Sequence, residues 1–353
     1  MFRPKSYKAP LAYALGALAF LGLWFLFASR NAPPLALLGG GTMGTTWSLQ
    51  YWDDEPLNPA LETLLVSELA RLDRAVFSTY APDSELSQLN ANPALEAVGV
   101  SEDLFAVLQL AQEVYEQSGG AFDPSVAPLV RLWGFGPDPE RPGLPSKTAI
   151  AAARARVGLE VLQLRPREQS VIRWQSLELD LSAIAKGYAV DVLAGLLQAQ
   201  GIDDYLLEIG GELRVAGRKP DGSTWRLAIE KPQDGAPAAF ALLDAEGEAF
   251  ALASSGDYRN YREIDGKRYS HEIDPHSGWP IDHALRAVSV VAATAAEADA
   301  WATALLVLGP EEGLRLARER GLAAYFIIHT DQGFVTQSSP DFKAKFANIV
   351  EAP

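Results

Sequence analysis

Between Thr45 and Trp52 polar and apolar residues alternate, the period of a half-buried strand. From Pro59 to Phe77 the period changes. Leu61, Leu64, Leu65, Leu69, Leu72 and Val76 recur every three or four residues and predict one amphipathic helix. Ser101 caps a second helix that stops at Gly119-Gly120. Residues 120–146 hold Pro124, Pro128, Pro137, Pro139, Pro142 and Pro145 and read as a loop. Ser146 opens a helix to about Val157, and short strands follow near 161–165, 170–174 and 177–181. Residues 182–201 read as a helix with Gly201 just past its end. Strands are expected near 204–209, 212–217, 225–230, 238–243 and 249–254. Thr294 and Glu297 form a capping box for a helix to Leu308. A helix over 311–320 and a strand over 323–328 close the chain. Helices and antiparallel strands mix without strict alternation, so the class is α+β.

One segment stands apart from this amphipathic pattern. Ala9 to Ala28 is an uncharged, largely apolar run of 20 residues, long enough as a helix to cross about 30 Å of hydrocarbon. Arg3, Lys5 and Lys8 precede it, which places the N-terminus in the cytoplasm and the body outside. A cleaved signal peptide is the alternative, although the small-residue site at Ala28-Ser29-Arg30 is indistinct. Residues 31–41 read as a Pro/Gly linker.

Composition narrows the chemistry. The chain has no cysteine, which excludes a thiol nucleophile, a zinc–thiolate site, a disulfide framework and a lipid-modified cysteine. Its net charge is −15, and the N-terminal segment is basic, so the body is more acidic still. Such a surface repels a phosphate backbone and argues against nucleic-acid binding. An anionic ligand needs local compensation from a lysine, a helix N-terminus or a metal.

Five patches offer that chemistry. The glycines of GGGTMGTTWS (39–48) allow close backbone approach, as does any linker turn. In FSTYAPDSELSQLN (77–90), Asp83 or Ser84 suits a helix cap and Tyr80 suits stacking. The stretch 118–137 keeps Phe122, Trp133 and Phe135 in a Gly/Pro-rich loop, for a core or for a ligand, and Asp123 suits a turn cap. In LELDLSAIAKGYAVD (177–191), Asp180 ends an apolar strand and Lys186 sits in the first turn of a helix. That arrangement suits phosphate, or simply a capped helix with an exposed lysine. The last patch, Ala253 to Thr303, holds His271 and His276 in a polar loop. Their spacing fits no common zinc pattern, but a histidine there can serve as a general base. Asp299 and Thr303 share a helix face and can ligate a hard cation, or Thr303 can bond its own helix carbonyl.

Taken in order, MGTTW, STYAPDSELSQLN, GGAFDPSVAPLVRLWGFG, DLSAIAKGYAVD, EIGGELRVAG, SSGDYRNY, SHEIDPHSG and EADAWATAL resemble the FAD:protein FMN transferases, the ApbE family. The resemblance covers about residues 40–335. It implies an ApbE-like α+β fold of mixed helices and antiparallel sheets, preceded here by one transmembrane helix. The implied organisation is an anchor or signal over 1–30, a linker over 31–41 and a catalytic domain over 42–353. The implied enzyme is Mg²⁺-dependent and sits on the bacterial inner membrane with its body in the periplasm. It splits FAD, releases AMP and joins FMN to a Ser or Thr hydroxyl through a phosphoester. Implied acceptors are subunits of membrane redox complexes, of the sodium-pumping NADH:quinone reductase or Rnf type, with a motif resembling D-x-x-[ST]-G-A-[ST].

By the same resemblance, Met43, Tyr80, Ala121, Phe122, Asp123, Asp180 and Lys186 contact FAD, and Ser255, Gly256 and Asp257 form a loop near the flavin. Asp299 and Thr303 are magnesium ligands, joined by the carbonyls of Ala183 and Ala296. His271 is the base on the acceptor hydroxyl, and Lys186 helps neutralise the pyrophosphate. The chain departs from the family pattern at Ser182 and Ser254, where Gly and Thr are usual. It departs again at Glu272, His276 and Ser277, where Ile, Arg and Thr are usual. Glu272 adds a negative charge beside the proposed base. A periplasmic FAD pyrophosphatase would use the same metal and lysine with water as acceptor. A flavin-binding scaffold would bind FAD without releasing AMP.

Overall fold

Eight strands build one antiparallel sheet. They are Leu35–Thr42 (β1), Thr45–Trp52 (β2), Tyr205–Ile209 (β3), Glu212–Ala216 (β4), Phe250–Gly256 (β5), Leu285–Ala292 (β6), Ala323–Thr330 (β7) and Gly333–Ser338 (β8). Their order in space is their order in the chain. The computed structural model describes residues 33–53, 58–136, 143–233, 235–236, 238–347 and 349–351.

The pleat sends alternate side chains into two cores. In β7, Ala324, Phe326 and Ile328 enter the first and Tyr325 and Ile327 the second. Helices Pro59–Ala70 (α1), Glu102–Gln117 (α2), Ala185–Ala199 (α3) and Ala295–Arg320 (α4) fill the first face. The second face is covered by a three-stranded sheet (Arg226–Glu230, Ala239–Asp244, Val350–Glu351) and by helix Pro340–Lys345. A smaller cluster of Leu129, Trp133, Ile150, Ala153 and Ile273 sits beside the hairpin Tyr261–Ile264/Lys267–Ser270. All of this is the mixed α+β architecture expected.

Several elements differ from their sequence reading. Residues 35–41, expected as linker, are most of edge strand β1, with Ala36 and Leu38 buried and Leu35 and Leu37 exposed. Gly39, Gly40 and Gly41 hid it, because glycine shows no alternation. The folded body therefore begins before residue 42. The expected anchor over 1–30 lies outside the described residues. Among the described residues no helix is long and apolar enough to cross a membrane. The single helix over 59–77 ends as α at Ala70 and continues as a π-helix, Arg71–Phe77. The wider turn brings Leu72, Val76 and Phe77 all into the core.

The proline-rich loop contains a 3₁₀ turn, Pro124–Val126, and a helix, Ala127–Leu132. Its first prolines fall in opening turns, where no N–H is needed. The segment 177–181 alternates buried and half-buried residues as a strand would but joins no sheet. Instead the Asn90 side chain donates to the Leu179 carbonyl at 2.8 Å and accepts its N–H at 2.8 Å, as a neighbouring strand would. Helix α3 starts at Ala185 rather than Ser182, because Asp180 Oδ1 first takes the Ser182 N–H in a turn. The two helices expected over 294–320 are both present, and they meet within α4 at Gly309, whose backbone (φ 81°, ψ −176°) is not helical. Strand β6 was not expected. It is buried on both faces, so LRAVSVVA carries no alternation. The hairpin at 261–270, strand β8 and helix Pro340–Lys345 are likewise additional to the sequence reading.

The contact that brings the chemistry together is the crossing of α3 and α4. A Cβ at Gly187 would lie 2.3 Å from the Ala295 carbonyl oxygen, so only glycine permits the approach. From α3, Asp191 accepts the N–H groups of Ala295 and Ala296 at 2.9 Å each and caps the start of α4. Gly187→Ala sets two effects against each other. Alanine adds about 1 kcal/mol of helix propensity. Overpacking against backbone costs about 1–3 kcal/mol, and so short a distance falls at the upper end. A net loss of about 2 kcal/mol is expected, read as a lower urea midpoint. An unchanged or higher midpoint would contradict the crossing as described.

Candidate functional site

A cleft of about 570 Å³ opens where α3, α4, the end of β5 and the β3–β4 turn meet. It is lined by Ala121, Phe122, Asp123, Asp180, Ala183 and Lys186 from the stretch 121–186. Ser255, Gly256, His271, Asp299 and Thr303 line it from the stretch 255–303. Residues far apart in sequence are thus gathered into one cavity.

Each wall is held by specific bonds. The Phe122 N–H is donated to Ser118 Oγ (3.1 Å), and Asp123 Oδ1 accepts the N–H and hydroxyl of Ser125 (2.8 and 2.6 Å). The Asp180 N–H is donated to the Pro124 carbonyl at 2.7 Å, joining the two segments. At the crossing, Asp299 Oδ2 accepts the Gly187 N–H at 3.1 Å. The Lys186 ammonium lies 3.3 Å from Glu212 Oε1, 3.7 Å from Asp299 Oδ2 and 3.2 Å from the Ser182 carbonyl. Thr303 Oγ1 is 3.0 Å from Ser255 Oγ, not on its own helix carbonyl.

Charge follows from this packing. Burial pulls the Lys186 ammonium down, but the Asp299 and Glu212 carboxylates more than reverse this and hold it above its ordinary value. Burial pushes Asp299 and Glu212 up, and Lys186 pulls both back. Two carboxyls therefore share one ammonium in a desolvated corner.

The His271 ring is oriented through Nδ1, which lies 2.9 Å from the Asn260 carbonyl. A neutral imidazole donates Nδ1–H there and leaves the Nε2 lone pair free to accept a proton. Glu272 Oε1 stands 3.5 Å from Nε2. Phe135 meets the imidazole edge-on, with centroids 6.2 Å apart. Phe122 and Trp133 are core residues, and the Trp133 Nε1–H is donated to the Gly278 carbonyl at 2.9 Å.

Four expected residues do not line the cleft. Met43 is half-buried at the β1–β2 turn (φ 47°), its N–H on Asp73 Oδ2 at 3.2 Å. Tyr80 is 73% exposed, so any stacking surface it offers lies outside. Asp257 pairs with Arg286 at 2.5 Å and lines a neighbouring depression. Ala296 is buried, with its N–H on Asp191.

Glu212, Asp191 and Asn260 were missed as site residues. Glu212 and Asp191 sit inside the quoted motifs EIGGELRVAG and DLSAIAKGYAVD, but their partners come from other elements. Asp299 and Thr303 offer hard oxygen donors of the kind magnesium takes. Among the described residues no three of His, Cys, Asp or Glu cluster to hold a metal by themselves. An ion here would need backbone carbonyls and substrate oxygens as well.

Asp123 carries a testable titration. Burial raises it from 3.8 to about 6, against the lowering hydrogen bonds of Ser125. A raised carboxyl favours folding below its unfolded value and loses that contribution as pH rises through the folded one. Wild type should therefore lose about 2–3 kcal/mol relative to Asp123→Asn between about pH 4 and pH 7. Denaturant titrations of both proteins at the two pH values check this, and a difference independent of pH would remove the assignment.

Comparison with known proteins agrees with the fold. An FAD:protein FMN transferase of Klebsiella pneumoniae is 42% identical over 316 residues, 88% of this chain and 89% of that protein. The flavin transferase ApbE of Vibrio cholerae superposes with a TM-score of 0.80 at 38% identity, covering 89% of this chain and 99% of that one. The apo flavinyl transferase ApbE of Pseudomonas stutzeri gives 0.81 at 40% identity, covering 90% and 98%. The ApbE family profile matches residues 43–326. The chain belongs to the ApbE family.

Proposed function

We propose that this protein is an FAD:protein FMN transferase that moves FMN from FAD to a Ser or Thr hydroxyl of an acceptor protein and releases AMP. The observation that carries the reading is the meeting of Lys186, Asp299, Thr303, Ser255 and His271 in one cleft. In the reaction the acceptor oxygen bonds to the FMN phosphorus, and the bond from that phosphorus to the oxygen of the AMP phosphate breaks. The hydroxyl proton goes to His271 Nε2, whose orientation the Asn260 carbonyl supports. Glu272 faces the imidazolium that results. Lys186 lies against the pyrophosphate and offsets its charge. Asp299 and Thr303, with the carbonyls of Ala183 and Ala296, are the proposed holders of Mg²⁺, which supplies charge neutralisation on the phosphates when bound. Loop 121–123, Asp180 and the Ser255-Gly256-Asp257 turn, with Met43 and Tyr80, are the proposed FAD contacts.

The acceptors proposed are subunits of sodium-pumping NADH:quinone reductase or Rnf-type complexes. The apolar run 9–28 behind Arg3, Lys5 and Lys8 supports an inner-membrane anchor with the body in the periplasm.

The reading is tested with purified protein, FAD, Mg²⁺ and an acceptor carrying D-x-x-T-G-A-T. FMN-labelled acceptor and AMP in equal amounts are expected. AMP with free FMN and no label would replace the transferase by a pyrophosphatase, and bound FAD with neither product by a scaffold. Asp299→Ala should cost at least about 100-fold in Mg²⁺-dependent turnover, since losing even a supporting partner of a metal ligand costs 10–100-fold. FAD binding should persist in it, and full turnover would remove the metal assignment. His271→Ala should slow transfer by about 100-fold or more with little change in FAD affinity. An unchanged rate would remove the base.

A further inference from the structure

Lys186 sits where a cation belongs. Its ammonium is surrounded by oxygen alone: Glu212 Oε1, Asp299 Oδ2 and the Ser182 carbonyl. The side chains of Glu212 and Asp299 are each only 4% exposed. Glu212 Oε2 is buried with no hydrogen-bond partner, and the residue lines the cleft. The corner thus sets two carboxyl groups against one ammonium and keeps a buried Glu212 oxygen without a partner.

We propose that Lys186 is a resident cation on Asp299 that a divalent ion displaces, and that Glu212 is the positioning residue that receives the displaced ammonium. This rests on the reading of Asp299 and Thr303 as metal donors. A metal on Asp299 draws on the same negative charge as the ammonium, so each cation weakens the other's hold on that carboxylate. Glu212 is already the nearer carboxylate, at 3.3 Å against 3.7 Å. The move therefore keeps contacts that exist and adds the idle Oε2. Without Glu212, Lys186 keeps Asp299 and the neutral Ser182 carbonyl as contacts and stays on Asp299.

The proposal is distinct from a fixed ion pair. Simple charge addition predicts that losing Glu212 weakens metal binding equally whether or not Lys186 is present. Displacement predicts a larger loss when Lys186 is present, because Glu212 then acts through it.

The test is Mn²⁺ binding to the FAD-free protein, followed by the electron paramagnetic resonance of free Mn²⁺, with no turnover involved. Lys186→Met should bind Mn²⁺ about tenfold or more tightly than wild type. Glu212→Gln should bind about tenfold more weakly than wild type, yet less than about threefold more weakly in the Lys186→Met background. A Lys186→Met protein with unchanged or weaker affinity overturns the competition. An equal Glu212→Gln penalty in both backgrounds overturns the receiving role. Should Lys186→Met fail to fold, Lys186→Gln takes its place in the same comparison, and unchanged affinity in Glu212→Gln by itself still contradicts the proposal. Asp299→Ala is the separate control. Mn²⁺ affinity intact in that variant would sink the metal reading itself, whatever the other variants show.

Discussion

At Gly187 the backbone of α3 rests directly on the first turn of α4. The missing side chain allows the approach, and Asp191 one turn later fastens it through two N–H groups. Everything chemical in the cleft is indexed to that crossing. Lys186 is the residue before Gly187, and Asp299 is one turn into α4. Bringing the two helices together therefore brings the ammonium and the carboxylate together. The β3–β4 turn adds Glu212 beneath them, and β5 lays Ser255 against Thr303.

The crossing also answers a problem of charge. A chain of net charge −15 has to receive a ligand that is itself anionic in the proposed reaction. Its positive group is not spread over a basic surface but held at one point, with buried carboxylates to keep it ionised. Helix N-termini contribute less than the sequence suggested. The first N–H groups of α4 are taken by Asp191 and Thr294, and the Gly187 N–H of α3 is taken by Asp299.

What could be read in the sequence follows from locality. Strand β2 and the caps at Ser101, Ser146 and Thr294 were legible because a few neighbouring residues determine them. The motif residues Lys186, His271, Asp299 and Thr303 were legible through their order along the chain. Strand β6 was not, because a strand buried on both faces shows no polar phase. Strand β1 was not, because three glycines erase the pattern. The segment 177–181 looked like a strand, and its burial does alternate, with Leu177, Leu179 and Leu181 inside. Its partners are scattered groups, the Asn90 and Arg173 side chains and the Pro124 carbonyl, which no periodicity announces. Glu212 gave no signal of its own, since its role depends on a lysine from another helix.

The sheet follows the chain strand by strand, yet one seam is far from local. Strand β2 ends at Trp52 and its next neighbour begins at Tyr205. At ribosomal speeds of 5–20 residues per second, about 150 intervening residues take roughly 10–30 s to appear. Throughout that interval the β1–β2 hairpin has Leu49 and Tyr51 formed but no β3 to lie beside. Closing this loop has the entropy cost of a long-range contact, while the later hairpins close locally. The nascent molecule is thus most open to wrong pairing at its N-terminal edge, well before any residue of α4 has been made.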